Sequence, residues 1–183
     1  MLGPVQAPWW VAGGWALDLH LGKVTRAHKD LDIGILRKDA AIVLAALPSW
    51  EFFEAKDGVL TEIVDGRAPR VEVNSLWCKQ TSAQHWQMEF VLDDSAGECW
   101  IFRRDRGITC ALSEAIRRNA VGMAYLAPEI QLLYKARAPR PEDQVDFRQV
   151  APQLDRNAQN WLREALMRTD PEHPWISMLK ALS

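Results

Sequence analysis

The chain has 183 residues, of which 48% are hydrophobic and 25% charged, and its net charge is −2. That length fits one large domain, or one and a half small ones, and is ample for a real core. The charge gives no sign of general nucleic-acid affinity, and no apolar run approaches the roughly 20 residues needed to cross a bilayer. The first residues lack a basic stretch followed by an apolar one, so no secretion signal is expected. Cys78, Cys99 and Cys110 are odd in number and lack metal-like spacing, so they read as reduced thiols in a cytoplasmic protein.

The first element is a strand-like apolar run that begins at Trp9 and breaks at Gly13-Gly14. A hairpin turn would lead into another strand. Instead Trp15, Ala16, Leu17, Leu19 and Leu21 form a short helical pattern that Gly22 ends, a natural C-terminal stop. A basic linker with Lys23, Arg26, His28 and Lys29 follows, and a second strand-like run opens with Asp30-Leu31-Asp32. Alternation along a strand puts Asp30 and Asp32 on one face, roughly 6.5–7 Å apart. Carboxylates at that separation suit two divalent ions roughly 3.5–4 Å apart. Gly13 and Gly14, at a helix start, offer backbone N–H groups that a polyphosphate can approach closely. Either signal alone is weak, because Gly-Gly is commonly a turn and Asp-x-Asp is common in loops. Their order, strand then glycines then helix then paired acids, is the sharper observation.

Farther along, Asp39 is placed to cap a helix over 40–47, which Pro48 ends. Strands are expected around 50–55, 59–64, 70–77, 86–92 and 98–103, with turns at Asp57-Gly58, Asp65-Gly66 and from Asp93 to Gly97. Two of these runs supply a candidate third carboxylate, Glu72 in the first and Glu89 in the second. In the run from Trp86 to Leu92, Trp86, Met88, Phe90 and Leu92 form an apolar face, with Gln87, Glu89 and Val91 opposite. Beyond about residue 110 the pattern turns helical. Pro128 suits the first turn of a helix reaching about Arg137, and further helices are expected near 142–150, 153–168 and 172–182. The fold class is α+β: a mixed sheet flanked by helices, with a helical C-terminal part. The chain divides near residue 120, into a core over 1–120 and a helical part over 121–183.

Between residues 100 and 140 there are eight basic residues against three acids, a local charge of +5 that leaves −7 elsewhere. Such a segment beside carboxylates suits an anionic triphosphate with its metal ions, although for most of these arginines a solvated surface is the simpler reading. The nine tryptophans read mainly as core or interface residues. Trp15 is the exception, because it directly follows the glycines. His28 reads as orienting the loop before Asp30, and His20, His85 and His173 as structural.

The string Gly13-Gly14-Trp15-Ala16-Leu17-Asp18, then Gly22, then Thr25-Arg26-x-His28-x-Asp30-x-Asp32 resembles the DNA polymerase beta-like nucleotidyltransferase superfamily. Within it the chain is most similar to the small aminoglycoside and lincosamide nucleotidyltransferases, which share Gly-Gly-Trp where many wider relatives have Gly-Ser. The likeness continues through Glu89, then Trp100-x-x-Arg103-Arg104-Asp105, and through Tyr125 to Ala136 and Arg140-Pro-x-Asp143-x-x-Asp146-Phe147. Two departures stand out. Glutamate occupies the third carboxylate position, where aspartate is commoner, and only Met1 to Pro8 precede the first strand, where relatives often carry a helix.

The resemblance implies a nucleotidyltransferase-type fold and a magnesium-dependent transfer of a nucleoside monophosphate, AMP by preference. The donor would be ATP or another nucleoside triphosphate, and the acceptor a hydroxyl of a small molecule, an aminoglycoside- or lincosamide-like antibiotic among the options. It implies Asp30, Asp32 and Glu89 as catalytic residues and ligands of two Mg2+ ions, with Glu89 favoured over Glu72. Gly13, Gly14, Trp15, Arg26 and Lys135 are the implied nucleotide-binding residues. No membrane partner and no extended nucleic-acid surface are expected. The other reading, a non-catalytic or regulatory nucleotide-binding module working with a partner protein, is disfavoured because the carboxylates are intact.

Overall fold

The structure is a computed structural model and describes residues 2–182; Met1 and Ser183 lie outside the described residues. In chain order, the first half holds β1 (Trp9–Val11), α1 (Gly13–Leu21), β2 (Asp32–Leu36), α2 (Ala40–Ala45), β3 (Trp50–Lys56), β4 (Val59–Glu62), β5 (Ser75–Gln80), β6 (Met88–Ala96) and β7 (Cys99–Ile101). The second half holds β8 (Thr109–Ala111), α3 (Leu112–Ala115), β9 (Ile116–Arg118), β10 (Ala124–Leu126), α4 (Pro128–Ala136), α5 (Pro141–Val150), α6 (Arg156–Thr169) and α7 (Pro174–Lys180). The main path of the sheet runs β4-β3-β5-β6-β2-β1-β10-β9, and β7 and β8 branch from β6. Its pairs are antiparallel except β2 with β6 and β1 with β10. The α+β class expected from the sequence is what the chain adopts.

One face of the central strands is closed by core residues. Ile33, Ile35, Phe52, Leu76, Cys78, Met88, Phe90 and Leu92 are all buried, as alternation on half-buried strands requires. The other face carries Asp32, Glu89, Asp93 and Trp77. The helical C-terminal part packs over one end of that face, where the Tyr134 hydroxyl on α4 donates to Asp93 at 2.9 Å. The β3–β5 side stays open.

Several expected elements shift. The second strand starts at Asp32 rather than Asp30; Asp30 sits in the preceding bend, although pairing reaches back to Leu31, whose carbonyl accepts from Glu89 N–H at 3.0 Å. Residues 70–74 form no strand, because Glu54 captures both the backbone N–H and the guanidinium of Arg70 (2.7 and 2.6 Å) and bends the chain into a turn. The strand there is Ser75–Gln80. Asp93 to Ala96 continue β6, and the turn falls at Gly97-Glu98. Asp39 makes no side-chain cap to α2; its carboxylate accepts from Lys38. The stretch expected to turn helical after residue 110 instead contributes β8, β9 and β10. Each has only three residues, too short for an alternation signal, and fully buried β10 pairs in parallel with β1.

Candidate active site

Glycines 13 and 14 sit at the start of α1 for different steric reasons. Gly13 has φ +64°, the left-handed region that favours glycine, and a Cβ there would collide with the Asp32 carboxylate. At Gly14 a Cβ would run into the side chains of His28 and Arg26, so this glycine lets the basic loop close over the helix start. The positive φ of the pair is at Gly13 and not at Gly14. The Gly13 N–H donates to the Gln131 side chain at 2.8 Å, tying the turn to α4. The regular ladder begins only at Ala16 N–H, which donates to Ala12, so the N–H groups of Gly14 and Trp15 lie in the unladdered first turn.

The loop over 23–31 is anchored by Asp18 on α1. Its carboxylate accepts from the Thr25 backbone at 3.1 Å and hydroxyl at 2.5 Å, and contacts His28 Nε2 at 2.6 Å. The His28 ring packs on Trp15 at 4.5 Å. His28 thus orients the loop, the role read from the sequence.

Asp32 and Glu89 are register partners on the parallel neighbours β2 and β6, so their side chains share a face about 5 Å apart at the backbone. Burial pushes Asp32 up to about 7, and the nearby negative charges of Glu89 and Asp30 add to the shift. Glu89 is raised by the same burial; a Ser75 hydroxyl bond opposes it and the Asp30 charge adds to it. Three carboxylates crowded in this way are an oxygen-only donor set of the kind hard divalent cations take. Among the described residues, no group of three or more His, Cys, Asp or Glu is already gathered in metal-holding geometry. The donor chemistry therefore fits magnesium, while the acids are not drawn together as a finished cage. Glu72 is elsewhere, exposed in the turn before β5 and 3.8 Å from Lys56.

A cleft of about 520 Å³ opens between these carboxylates and the helical part. Gly13, Gly14, Arg26, Asp30, Asp32 and Lys135 line it, together with His28, Arg103, Arg104 and Arg140. Trp15, facing His28, and Glu89, set behind Asp32, are not among its lining residues. Arg26 forms a two-pronged pair with Asp146 at 2.9 and 3.0 Å. Lys135 reaches Asp143 at 2.5 Å and Asp146 at 3.0 Å. Against the cost of burial, hydrogen bonds from Arg140 and Lys135 hold Asp143 down at about 2. These α5 acids fix the cations at the cleft wall.

Arg103, Arg104 and Arg140 line the cleft although the charge count did not single them out. The Arg103 guanidinium stands 4.8 Å from the Tyr134 ring, with one buried nitrogen that has no hydrogen-bond partner. Its charge bears on both Glu89 and Asp93. The available signal was the Trp-x-x-Arg-Arg-Asp resemblance. Sequence reasoning also placed Trp77 and Trp86 among core or interface aromatics, yet they are 37% and 41% exposed, because Trp77 points to the open face and Trp86 precedes β6.

A family model described as aminoglycoside-2''-adenylyltransferase matches residues 1–149. Two proteins described as 2''-aminoglycoside nucleotidyltransferase, from Escherichia coli and Klebsiella pneumoniae, are each 39% identical over 61 residues, covering 32% of this chain and 34% of theirs. The match thus spans about a third of the length of these relatives. The crystal structure of the lincomycin-bound lincosamide antibiotic adenylyltransferase LnuA superposes with a TM-score of 0.52 at 15% identity, covering 79% of this chain and 86% of that one. At that identity the likeness is one of fold.

Proposed function

The chain belongs to the aminoglycoside-2''-adenylyltransferase family, and on that footing we propose that it transfers AMP from ATP to a hydroxyl of an aminoglycoside- or lincosamide-like acceptor. The observation that carries this reading is the cleft: Asp30 and Asp32 line it, with Glu89 paired to Asp32 behind the wall, and Arg26, Lys135, Arg103 and Arg140 supply its cations.

Gly14 and Trp15 backbone N–H groups at the start of α1 meet the triphosphate, and the cations across the cleft balance its charge. Asp30, Asp32 and Glu89 would hold the magnesium ions, which supply charge neutralisation on the triphosphate when bound. The acceptor hydroxyl oxygen attacks the α-phosphorus, forming a new P–O bond. The bond between the α-phosphorus and its bridging oxygen breaks, and pyrophosphate leaves with that electron pair. Glu89, whose burial raises its proton affinity, accepts the hydroxyl proton. Residues 1–120 carry the carboxylates and glycines, and residues 121–183 close the cleft with Lys135 and the α5 acids. This division is functional, since β10 lies within the shared sheet. None of the helices is long and apolar enough to cross a membrane among the described residues, and a cytoplasmic location is part of the proposal.

The test is incubation of the purified protein with magnesium, each α-labelled nucleoside triphosphate in turn, and a panel of aminoglycosides and lincomycin. Label on an acceptor, greatest from ATP, supports the reading. Magnesium-dependent triphosphate binding without transfer to any acceptor would favour the non-catalytic module instead.

A further inference from the structure

We propose that Phe53, Trp77 and Trp86 form the acceptor platform, a stacking surface for the apolar C–H face of a saccharide ring whose hydroxyl is turned toward Glu89. This inference rests on the nucleotidyltransferase reading and adds the part of the site that grips the acceptor.

Register across the sheet carries the argument. Phe53 on β3 pairs with Trp77 on β5, Trp77 pairs with Glu89 on β6, and Glu89 pairs with Asp32 on β2. Directly paired residues project from the same face, so two aromatic rings and two carboxylates form one row with steps of about 5 Å. Trp86 closes the group from the segment before β6. Its ring meets Phe53 edge-on at 5.1 Å and Trp77 edge-on at 5.6 Å. These edge-to-face contacts hold the rings at defined angles, and Trp77 and Trp86 still keep more than a third of their surface open. Trp77 is flanked in sequence by the fully buried Leu76 and Cys78, so its exposure follows from strand alternation and does not reflect a loose strand.

The chemistry around the rings selects the ligand class. On this face Glu51 is matched by Lys79 at 3.2 Å, whereas Glu62, the register partner of Phe53, and Glu89, the register partner of Trp77, are acids beside the rings. The Lys79 ammonium also stands 5.9 Å from the Trp86 ring. Such a surface holds the apolar face of a sugar ring by stacking and offers Glu62 and Glu89 to ammonium groups at the ring's edge. A protein partner is the other class of occupant. The exposed parts of three rings amount to at most a few hundred Å², well short of the roughly 800 Å² per partner of a stable interface.

The experiment measures acceptor binding by calorimetry and transfer kinetics in parallel, for the wild type, W77A, W86A and the conservative W86F. The probes are a methyl glycoside, a singly charged amino-sugar glycoside and a polycationic aminoglycoside, each at low and high salt. Melting temperature confirms that each variant is folded. The expected result is about a tenfold rise in acceptor Kd and KM for W77A and W86A, equivalent to about 1.4 kcal/mol. The KM for the triphosphate should be unchanged, W86F should be nearly normal, and affinity for the neutral methyl glycoside should depend weakly on salt. Saccharide binding that is lost in the variants, in a protein that transfers nothing, leaves the platform standing and removes the nucleotidyltransferase reading. Transfer with unaltered acceptor KM in both alanine variants, or methyl glycoside affinity that collapses with salt, overturns the platform. Failure of every saccharide to bind the wild type overturns it too, as does a wild-type dimer that W86A dissociates.

Discussion

The Asp32 carboxylate lies in the space that a side chain on Gly13 would need. Phosphate turn and carboxylate site are therefore one steric unit: the glycine at φ +64° makes room for the acid that begins β2. G13A should strain the backbone by about 1–2 kcal/mol and also push Asp32 out of register with Glu89. The expected outcome is a lower melting temperature together with weakened magnesium-dependent triphosphate binding, read by thermal shift and calorimetry. G14V should displace His28 and Arg26, leave the Asp32 position intact, and impair triphosphate binding more than binding of magnesium alone.

Charge removal at the paired acids separates function from stability. Asp32 is pushed up to about 7 by burial and by neighbouring negative charge, so neutralising it relieves repulsion in the metal-free protein. D32N is expected to melt at or above the wild-type temperature without magnesium, to gain no stability when magnesium is added, and to lose transfer by about 100-fold or more. D30N should lose transfer without unfolding. Thermal shift with and without magnesium, beside the transfer assay, checks both.

The third acid is tested by contrast. E89Q should lose most of its transfer rate with little change in triphosphate KM. E72Q, which alters only an exposed 3.8 Å pair with Lys56, should stay within about 0.5 kcal/mol of wild-type stability and keep its activity. The reverse order would move the role to Glu72.

On α5, Asp146 holds both Arg26 and Lys135, at 2.9 and 3.0 Å. D146N leaves two cations short of a buried partner and should cost about 3 kcal/mol in denaturant unfolding. In the folded variant, the triphosphate KM should rise more than kcat falls, because both cations line the cleft.

Glu54 is expected to contribute to the loss of stability at acid pH, together with Asp143 and Asp146. Hydrogen bonds from Arg67 and from the Arg70 backbone and side chain hold the Glu54 carboxyl down at about 2, against an ordinary 4.5. A carboxylate with a lowered folded value stabilises above its unfolded value and loses that contribution as pH falls toward its folded one. Wild-type stability should therefore decline between about pH 4.5 and pH 2. In E54Q that acid-dependent loss should shrink, and the starting stability at neutral pH should be lower. Chemical denaturation across the range measures both.

The core of the site was legible because its parts lie close in sequence. Gly13-Gly14, the α1 pattern and Asp30-x-Asp32 occupy one short stretch with strong local rules. Glu89 was read as the third acid through alternation and resemblance, and its pairing with Asp32 is a long-range fact that no local pattern contains. The turn at 70–74 was misread as a strand because its alternation is real and the buried carboxylate that bends it, Glu54, comes from a different strand. β8, β9 and β10 carry too few residues to announce a period. The cleft arginines look like solvated surface until the fold brings them opposite the carboxylates, and the exposure of Trp77 and Trp86 depends on which sheet face the helices leave uncovered.

The most direct test of the central claim is a mass measurement of the acceptor after incubation with the protein, ATP and magnesium, with pyrophosphate quantified in the same reaction. The account expects an acceptor heavier by one adenylyl group, pyrophosphate released in equal amount, and neither product with D32N. An unmodified acceptor in the presence of magnesium-dependent ATP binding, or a modified acceptor formed at an undiminished rate by D32N, would contradict it.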